Sequence, residues 1–269
     1  MSIKPKRSIK YVLGGAALVA LLYFLPIVTI GYIACGVWDV SRNRDLSFGI
    51  LRQYFLLNGI STWLLSPLNI LFDLLALPYV NKGVYKLDDL PGAYQEELGE
   101  LLESADRLQV GELVDQRTAG LKRAMYFFKW YGMNVEGSID VPEFHRPYRF
   151  VRTIGVSLFR ERENTSRHFG PLRPSLRVLY CLNDDVSEQA YIKVGPVEHH
   201  WRGDKLFVFD DTLLHQSFNE SDERRLVLFV DVIRPSYLPW VFDIAVAATR
   251  LVFRGSKGIF YRNWKLVND

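Results

Sequence analysis

Three residues in the second half of the chain have the types and spacing for oxidative chemistry. His168 stands in "SRHFGPLRP" (166–174), where a segment of strand character runs into a Gly-Pro turn. His215 closes "FVFDDTLLH" (207–215), where a strand ends in two acids and a short connection. Arg225 follows ten residues later, at the start of the apolar run "RLVLFVDVI". A ferrous site that uses 2-oxoglutarate needs neutral imidazoles on the metal, open coordination positions, and a buried cation for the far carboxylate of the cosubstrate. Arginine suits the last task because its charge is permanent and its donors form a fork. Among Leu226, Val227, Leu228 and Phe229, Arg225 would otherwise be a costly burial. The other histidines, His145, His199 and His200, have no such surroundings. One group is missing: such a site usually reads His-x-Asp or His-x-Glu, and here Phe169 and Gly170 follow His168.

A rigid frame must hold these residues. From about residue 147 the pattern becomes one of short segments rich in β-branched and aromatic residues. "YRFVRTIGVSLF", "SLRVLYCL", "QAYIKV", "KLFVF" and "RLVLFVDVI" are separated by turn signals such as "LNDD" and "WRGD". They indicate a compact antiparallel sandwich or barrel. The Arg-Gly-Asp at 202–204 reads as a hairpin turn. Residues 81–130 read as helical, with a Leu90-Pro91 start and apolar residues at helical spacing.

The N-terminal quarter is different. Hydrophobic residues make up 49% of the chain, against 23% charged, which suggests a polar domain joined to something very apolar. Tyr11–Trp38 carries no charged residue, and as one helix would reach about 42 Å, more than the roughly 30 Å hydrocarbon core of a bilayer. A transmembrane anchor is expected there, with Pro26 a kink site; a cleavable signal peptide is the rival, though no small-x-small site is evident. The second charge-free run, Gln53–Phe72, is interrupted by polar residues, Gly59 and Pro67, and reads as a second crossing or an in-plane segment. Near the C-terminus, "YLPWVFDIAVAATRLVF" followed by Arg254, Lys257, Arg262 and Lys265 among aromatics reads as a peripheral anchor or a helix packed on the domain. The net charge of +3 is too small to argue for nucleic acid. Two isolated cysteines, Cys35 and Cys181, give no disulfide framework.

"SLFRERENTSRHFGPLRPSLRVLYCLND", followed by "HHWRGDKLFVFDDTLLHQSFNESDERRLVLFVDVIRP", resembles the aspartyl/asparaginyl β-hydroxylase domain family, over roughly residues 120–240. The resemblance implies an Fe(II)/2-oxoglutarate oxygenase that uses dioxygen, built on a double-stranded β-helix (jelly-roll) core. It implies His168 and His215 as metal ligands, with Gly170 where a carboxylate ligand would be, as in the protein-hydroxylating branch. It further implies Arg225 as the anchor of 2-oxoglutarate, Ser157 and Arg177 assisting, and Asp211 orienting a metal-bound water or ligand. The family commonly has a histidine two residues after Arg177; Leu179 stands here. The apolar flanks look like the bacterial membrane hydroxylases of this family, which act on acyl chains of lipid A or of ornithine lipids.

The expectation is therefore an α+β chain with a membrane anchor. Residues 1–46 form an N-terminal transmembrane anchor, 47–85 a second membrane or interfacial segment, 86–236 the hydroxylase domain with its preceding helices, and 237–269 an amphipathic peripheral tail. The expected activity is hydroxylation of a membrane-lipid acyl chain at the bacterial inner membrane, with the catalytic domain cytoplasmic. The alternative is a peptidyl aspartyl/asparaginyl hydroxylase. The expected partners are a membrane lipid substrate and the bilayer, without nucleic acid.

Overall fold

The computed structural model describes residues 5–254 and 264–268. The chain opens with helices α1 (Pro5–Phe24), α2 (Pro26–Ser41), α3 (Phe48–Leu56), α4 (Ile60–Leu64) and α5 (Ser66–Leu75). The apolar run is not one helix. Leu25 leaves helical geometry at φ −136° and ψ 55°, and Pro26 starts α2 at a position where its missing N–H costs nothing. The 16 residues of α2 span about 24 Å, short of the hydrocarbon core, while α1 includes Lys6, Arg7 and Lys10. Among the described residues no helix is long and apolar enough to cross a membrane. The expected N-terminal transmembrane helix is therefore corrected to a broken pair of helices. A second crossing over 47–85 fails for the same reason, since α5, with 10 residues, reaches only about 15 Å.

Helices α6 (Gly92–Arg107) and α7 (Val110–Arg117) follow the short strand β1 (Val84–Tyr85). Helix α6 buries Tyr94, Leu98, Leu101, Leu102 and Ala105, one stripe at the helical repeat. The helical reading of 81–130 stops there. Residues Arg123–Trp130 form strand β2, because "RAMYFFKW" is rich in aromatics that pack well on a pleated surface. The remaining elements are β3 (Met133–Asn134), α8 (Pro142–His145), β4 (Val151–Phe159), β5 (Glu163–Asn164), β6 (Ser175–Cys181), β7 (Ala190–Val194), β8 (Val197–His200), β9 (Leu206–Phe209), β10 (His215–Asn219), β11 (Arg225–Ile233), α9 (Pro239–Arg254) and β12 (Lys265–Leu266).

Two sheets result. The larger runs β1-β9-β6-β11-β4-β2-β12, with β3 on β2; the smaller runs β5-β10-β7-β8. Residues 201–204 do make a turn, but it joins β8 of the small sheet to β9 of the large one and is not a hairpin. Along β11 the side chains alternate between two cores. Leu226, Leu228 and Val230 pack with Leu98 and Leu101 of α6 and Phe242 and Val246 of α9. Val227 packs instead with Ile192 and Val194 of the small sheet. Helices thus cover one face of the large sheet and the small sheet covers the other. In α9 the opposite side, with Trp240 and Ile244, stays exposed. In the tail, Lys265 lies in β12, parallel to β2, whereas Lys257 and Arg262 lie outside the described residues.

Candidate active site

Between the two sheets lies a cavity of about 630 Å³, and it brings together His168, His215, Asp211, Arg225, Arg177 and Ser157. Strand register explains the order of its floor. Arg123, Phe159 and Arg225 form one cross-strand row; Met125, Ser157 and Val227 form the next; Phe229 pairs Leu179, and Asp231 pairs Arg177 further along. Successive rows on one face are two residues apart, so one end of the cavity is set by Arg225 and the other by Arg177.

His168, on the loop between β5 and β6, and His215, the first residue of β10, face each other across an isolated antiparallel bridge. The His168 amide donates to the His215 carbonyl at 3.0 Å and the His215 amide to the His168 carbonyl at 2.9 Å. Their ring centroids are 4.2 Å apart. His168 Nδ1 lies 2.6 Å from the Ser166 carbonyl, and His215 Nδ1 lies 2.8 Å from the Leu213 carbonyl. A carbonyl can only accept, so each Nδ1 carries the proton and each Nε2 keeps its lone pair for a ligand. Burial lowers the pKa of both rings, and for His215 the neighbouring His168 adds to it, so both are neutral near pH 7. Two neutral imidazoles are donors that a ferrous ion accepts. Among the described residues, no group of three or more His, Cys, Asp or Glu is arranged to hold a metal ion. A ferrous ion held by the histidine pair alone would keep coordination positions for small ligands.

Gly170 explains the missing carboxylate. A Cβ built there would lie 2.5 Å from Asp211 Cγ, 2.6 Å from Oδ1 and 2.7 Å from Oδ2. The carboxylate of Asp211 occupies the place a side chain at 170 would need, and the Gly170 amide donates to the Asp211 carbonyl at 2.7 Å. Burial pushes the Asp211 carboxyl up to about 7, and Asp231 and Asp210 push the same way against Arg177. Arg177 holds Asp231 at 2.8 Å and Asp211 at 3.1 Å, with its guanidinium 3.9 Å from the Phe229 ring centre. One positive charge thus serves two acids, and Asp211 is the surplus one. Arg177, expected to assist the cosubstrate, is taken up by these two carboxylates.

Arg225 is the opposite case. It is 2% exposed, its guanidinium lies 4.2 Å from the Phe159 ring centre, and its Nε and Nη1 are buried with no hydrogen-bond partner. Burial lowers its pKa to about 10, which still leaves it charged at neutral pH. A buried charge without a partner is expensive, and an anionic ligand would satisfy it. Ser157, also buried, donates to the Val227 carbonyl at 3.3 Å and leaves its oxygen free to accept. Arg224 points to the other face and pairs with Glu112 at 2.7 Å and with Asp115.

The N-terminal helices hold both histidine loops. Thr62 Oγ1 donates to the Gly170 carbonyl at 2.7 Å, Gln53 to the Arg167 carbonyl at 2.6 Å, and the Leu214 amide to Asn43 at 2.8 Å. Phe169 packs among Val40, Ile50, Tyr54 and Leu214. Beneath this, Arg173 is fully buried against Asp39 and against Asp73 at 2.5 Å; Arg42 meets Asp210 at 2.7 Å and Arg234 meets Asp73 at 2.6 Å. Burial would raise the Asp210 pKa, but Arg42, Arg173 and Arg234 outweigh it and hold the carboxyl well below the usual range. Asp210 is therefore structural, and Asp211 faces the cavity.

Sequence reasoning missed Arg123, which sat in a stretch read as helical, and Asp231, an acid inside an apolar strand that could have drawn attention. It also missed the hold of α2–α5 on the loops, since the partners lie more than 100 residues apart.

The chain is 32% identical, over 90 residues, to the ornithine lipid ester-linked acyl 2-hydroxylase of Rhizobium tropici; the match takes in 33% of this chain and 32% of that protein. This chain thus spans about a third of the length of that curated relative. Among solved structures, a Pseudomonas putida prolyl-4-hydroxylase is 18% identical, with 30% of this chain and 50% of that one covered, at a TM-score of 0.26. A cupin 2 conserved barrel domain protein from Salinispora arenicola is 9% identical, covering 43% and 83%, at 0.28. The model of the aspartyl/asparaginyl beta-hydroxylase family matches residues 96–235, more than half of the chain and all of the cavity residues carried by β2–β11, and the chain belongs to that family.

Proposed function

We propose that this protein is an Fe(II)- and 2-oxoglutarate-dependent hydroxylase that acts on an acyl chain of a membrane lipid, of the ornithine-lipid or lipid A kind. One observation carries the reading: the histidine pair and the unpartnered Arg225 share a single cavity whose loops hang from a strongly apolar helical layer. Iron, 2-oxoglutarate and dioxygen would together turn a C–H into C–OH while the 2-oxo acid becomes succinate and carbon dioxide. His168 and His215 would hold the metal through Nε2, with their tautomers fixed by the Ser166 and Leu213 carbonyls. Arg225 would bind the far carboxylate, with Ser157 beside it. Asp211, fixed by Arg177, would accept a hydrogen bond from a water or ligand next to the metal. Phe209, Ile192, Leu179 and Phe229 give the cavity an apolar wall suited to an alkyl chain and keep water from the reacting carbon.

The apolar layer supports a lipid substrate. Ile27 is 86% and Phe48 80% exposed, and Trp38 and Trp240 are also open. Such a surface suits shallow in-plane docking on a bilayer, on the cytoplasmic side where ferrous iron and 2-oxoglutarate are supplied. A relative whose name records an acyl 2-hydroxylase supports the substrate class. A second reading, a peptide aspartyl or asparaginyl side chain, is favoured by Gly170 in place of a carboxylate ligand. Purified protein with Fe(II) and 2-oxoglutarate separates them: succinate formation should rise with lipid vesicles and not with Asp/Asn-containing peptides, and the reverse result would favour the second reading.

A further inference from the structure

Arg123 lies across Phe159 from Arg225. The three are one cross-strand row, and both guanidiniums lie over the same ring, Arg123 at 5.0 Å and Arg225 at 4.2 Å from its centre. Arg123 is sandwiched further by Trp264, 4.3 Å away, which sits just before β12. Its Nη1 donates to the Asn164 carbonyl at 3.0 Å, while its Nε is buried without a partner. Both arginines and Trp264 line the cavity. No carboxylate bonds either guanidinium among the described residues; Glu163 supports Arg123 only through its field. Two like charges against one ring, with buried donors that find no partner, are unfavourable unless an anion offsets them. Leu179, Val227 and Met125 make the nearby wall largely apolar, with Ser157 the polar group in the adjoining row.

We propose that Arg123 and Arg225 form a two-guanidinium clamp for one carboxylate, the far carboxylate of 2-oxoglutarate, with Trp264 holding Arg123 in place. This rests on the reading of Arg225 as the cosubstrate anchor. It makes the anion site of this chain depend on β2 and on the C-terminal segment as well as on β11.

The test is calorimetric titration of full-length, Mn(II)-loaded protein with 2-oxoglutarate and with 2-oxovalerate, which carries a methyl in place of the far carboxylate. Arg123→Gln should weaken 2-oxoglutarate binding roughly tenfold or more and leave 2-oxovalerate unchanged, as should Arg225→Gln. Arg123→Lys, which keeps the charge and loses the fork, should fall between wild type and Arg123→Gln, and it decides the matter if Arg123→Gln fails to fold. Loss in Arg225→Gln with wild-type affinity in both Arg123 variants overturns the clamp alone. The clamp is equally overturned if Arg123→Gln leaves 2-oxoglutarate binding intact and raises only the KM for a carboxylate-bearing lipid. If neither Arg225→Gln nor Arg123→Gln affects 2-oxoglutarate, the cosubstrate reading itself falls.

Discussion

The carboxylate of Asp211 lies where any side chain on Gly170 would have to go, with a Cβ meeting Asp211 Cγ at 2.5 Å. An acid thus enters the cavity beside Gly170 from the loop before β10 instead of from the first histidine motif. Gly170→Ala should push Asp211 away from Arg177, at a cost of about 1–3 kcal/mol in stability, as expected of overpacking. Gly170→Asp should do worse, and the double variant Gly170→Asp, Asp211→Gly should recover part of the loss by exchanging the two positions. Urea unfolding and iron titration of the three variants measure this; wild-type stability in Gly170→Ala would contradict it.

Asp211 also sets a pH dependence. Unfolded, it titrates near about 3.9, whereas in the fold its carboxyl is pushed up to about 7. Between those values the folded chain keeps a proton that the unfolded chain has released. The group's contribution to stability is full below the unfolded value and is lost as pH rises through the folded one. Metal-free Asp211→Asn should therefore lose less stability than wild type between about pH 4 and about pH 7. Urea midpoints at several pH values decide, and parallel profiles would count against it.

The ion cluster under the histidine loops makes a third prediction. Arg173→Leu takes from buried Asp39 its nearest cation and leaves only Arg42 at 3.6 Å, and removing one partner of a buried pair costs about 3–5 kcal/mol. Because Arg173 lies only three residues past Gly170, iron binding should weaken as well. Thermal unfolding and iron titration would show both; a variant that unfolds normally would mean that the N-terminal helices do not depend on this cluster.

Membrane docking can be separated from chemistry. Ile27→Asp with Phe48→Asp places charges on exposed positions outside the cavity lining. Binding to anionic vesicles should fall at least about tenfold, because each substitution exchanges apolar contact for a charge at the interface. Binding of 2-oxoglutarate should stay at the wild-type level. Unchanged vesicle binding would remove the in-plane docking.

Much of the site was legible in the linear sequence because its residues belong to local motifs. The strands around Ser157, Arg177 and Arg225 are short runs rich in β-branched and aromatic residues bounded by turn signals, and His168 and His215 sit at strand-to-turn junctions. Other features depend on contacts that no window shows. Strand β2 followed two helices, and "RAMYFFKW" satisfies an apolar helical count as readily as a strand, so Arg123 went unplaced. The stretch Tyr11–Trp38 counted as one span, yet the chain breaks at Leu25–Pro26, and only then can α2 turn Asp39 toward Arg173. That pair is 134 residues apart in sequence.

The most direct test of the central claim is mass spectrometry of total lipids from cells lacking the gene and from the same cells restored with wild type or with His168→Ala. The ornithine-lipid and lipid A fractions are read separately. One added oxygen on an acyl chain, present with wild type and absent with His168→Ala, is the expected result. Identical lipids in all three, with the wild-type protein expressed and iron-loaded, would contradict a lipid hydroxylase.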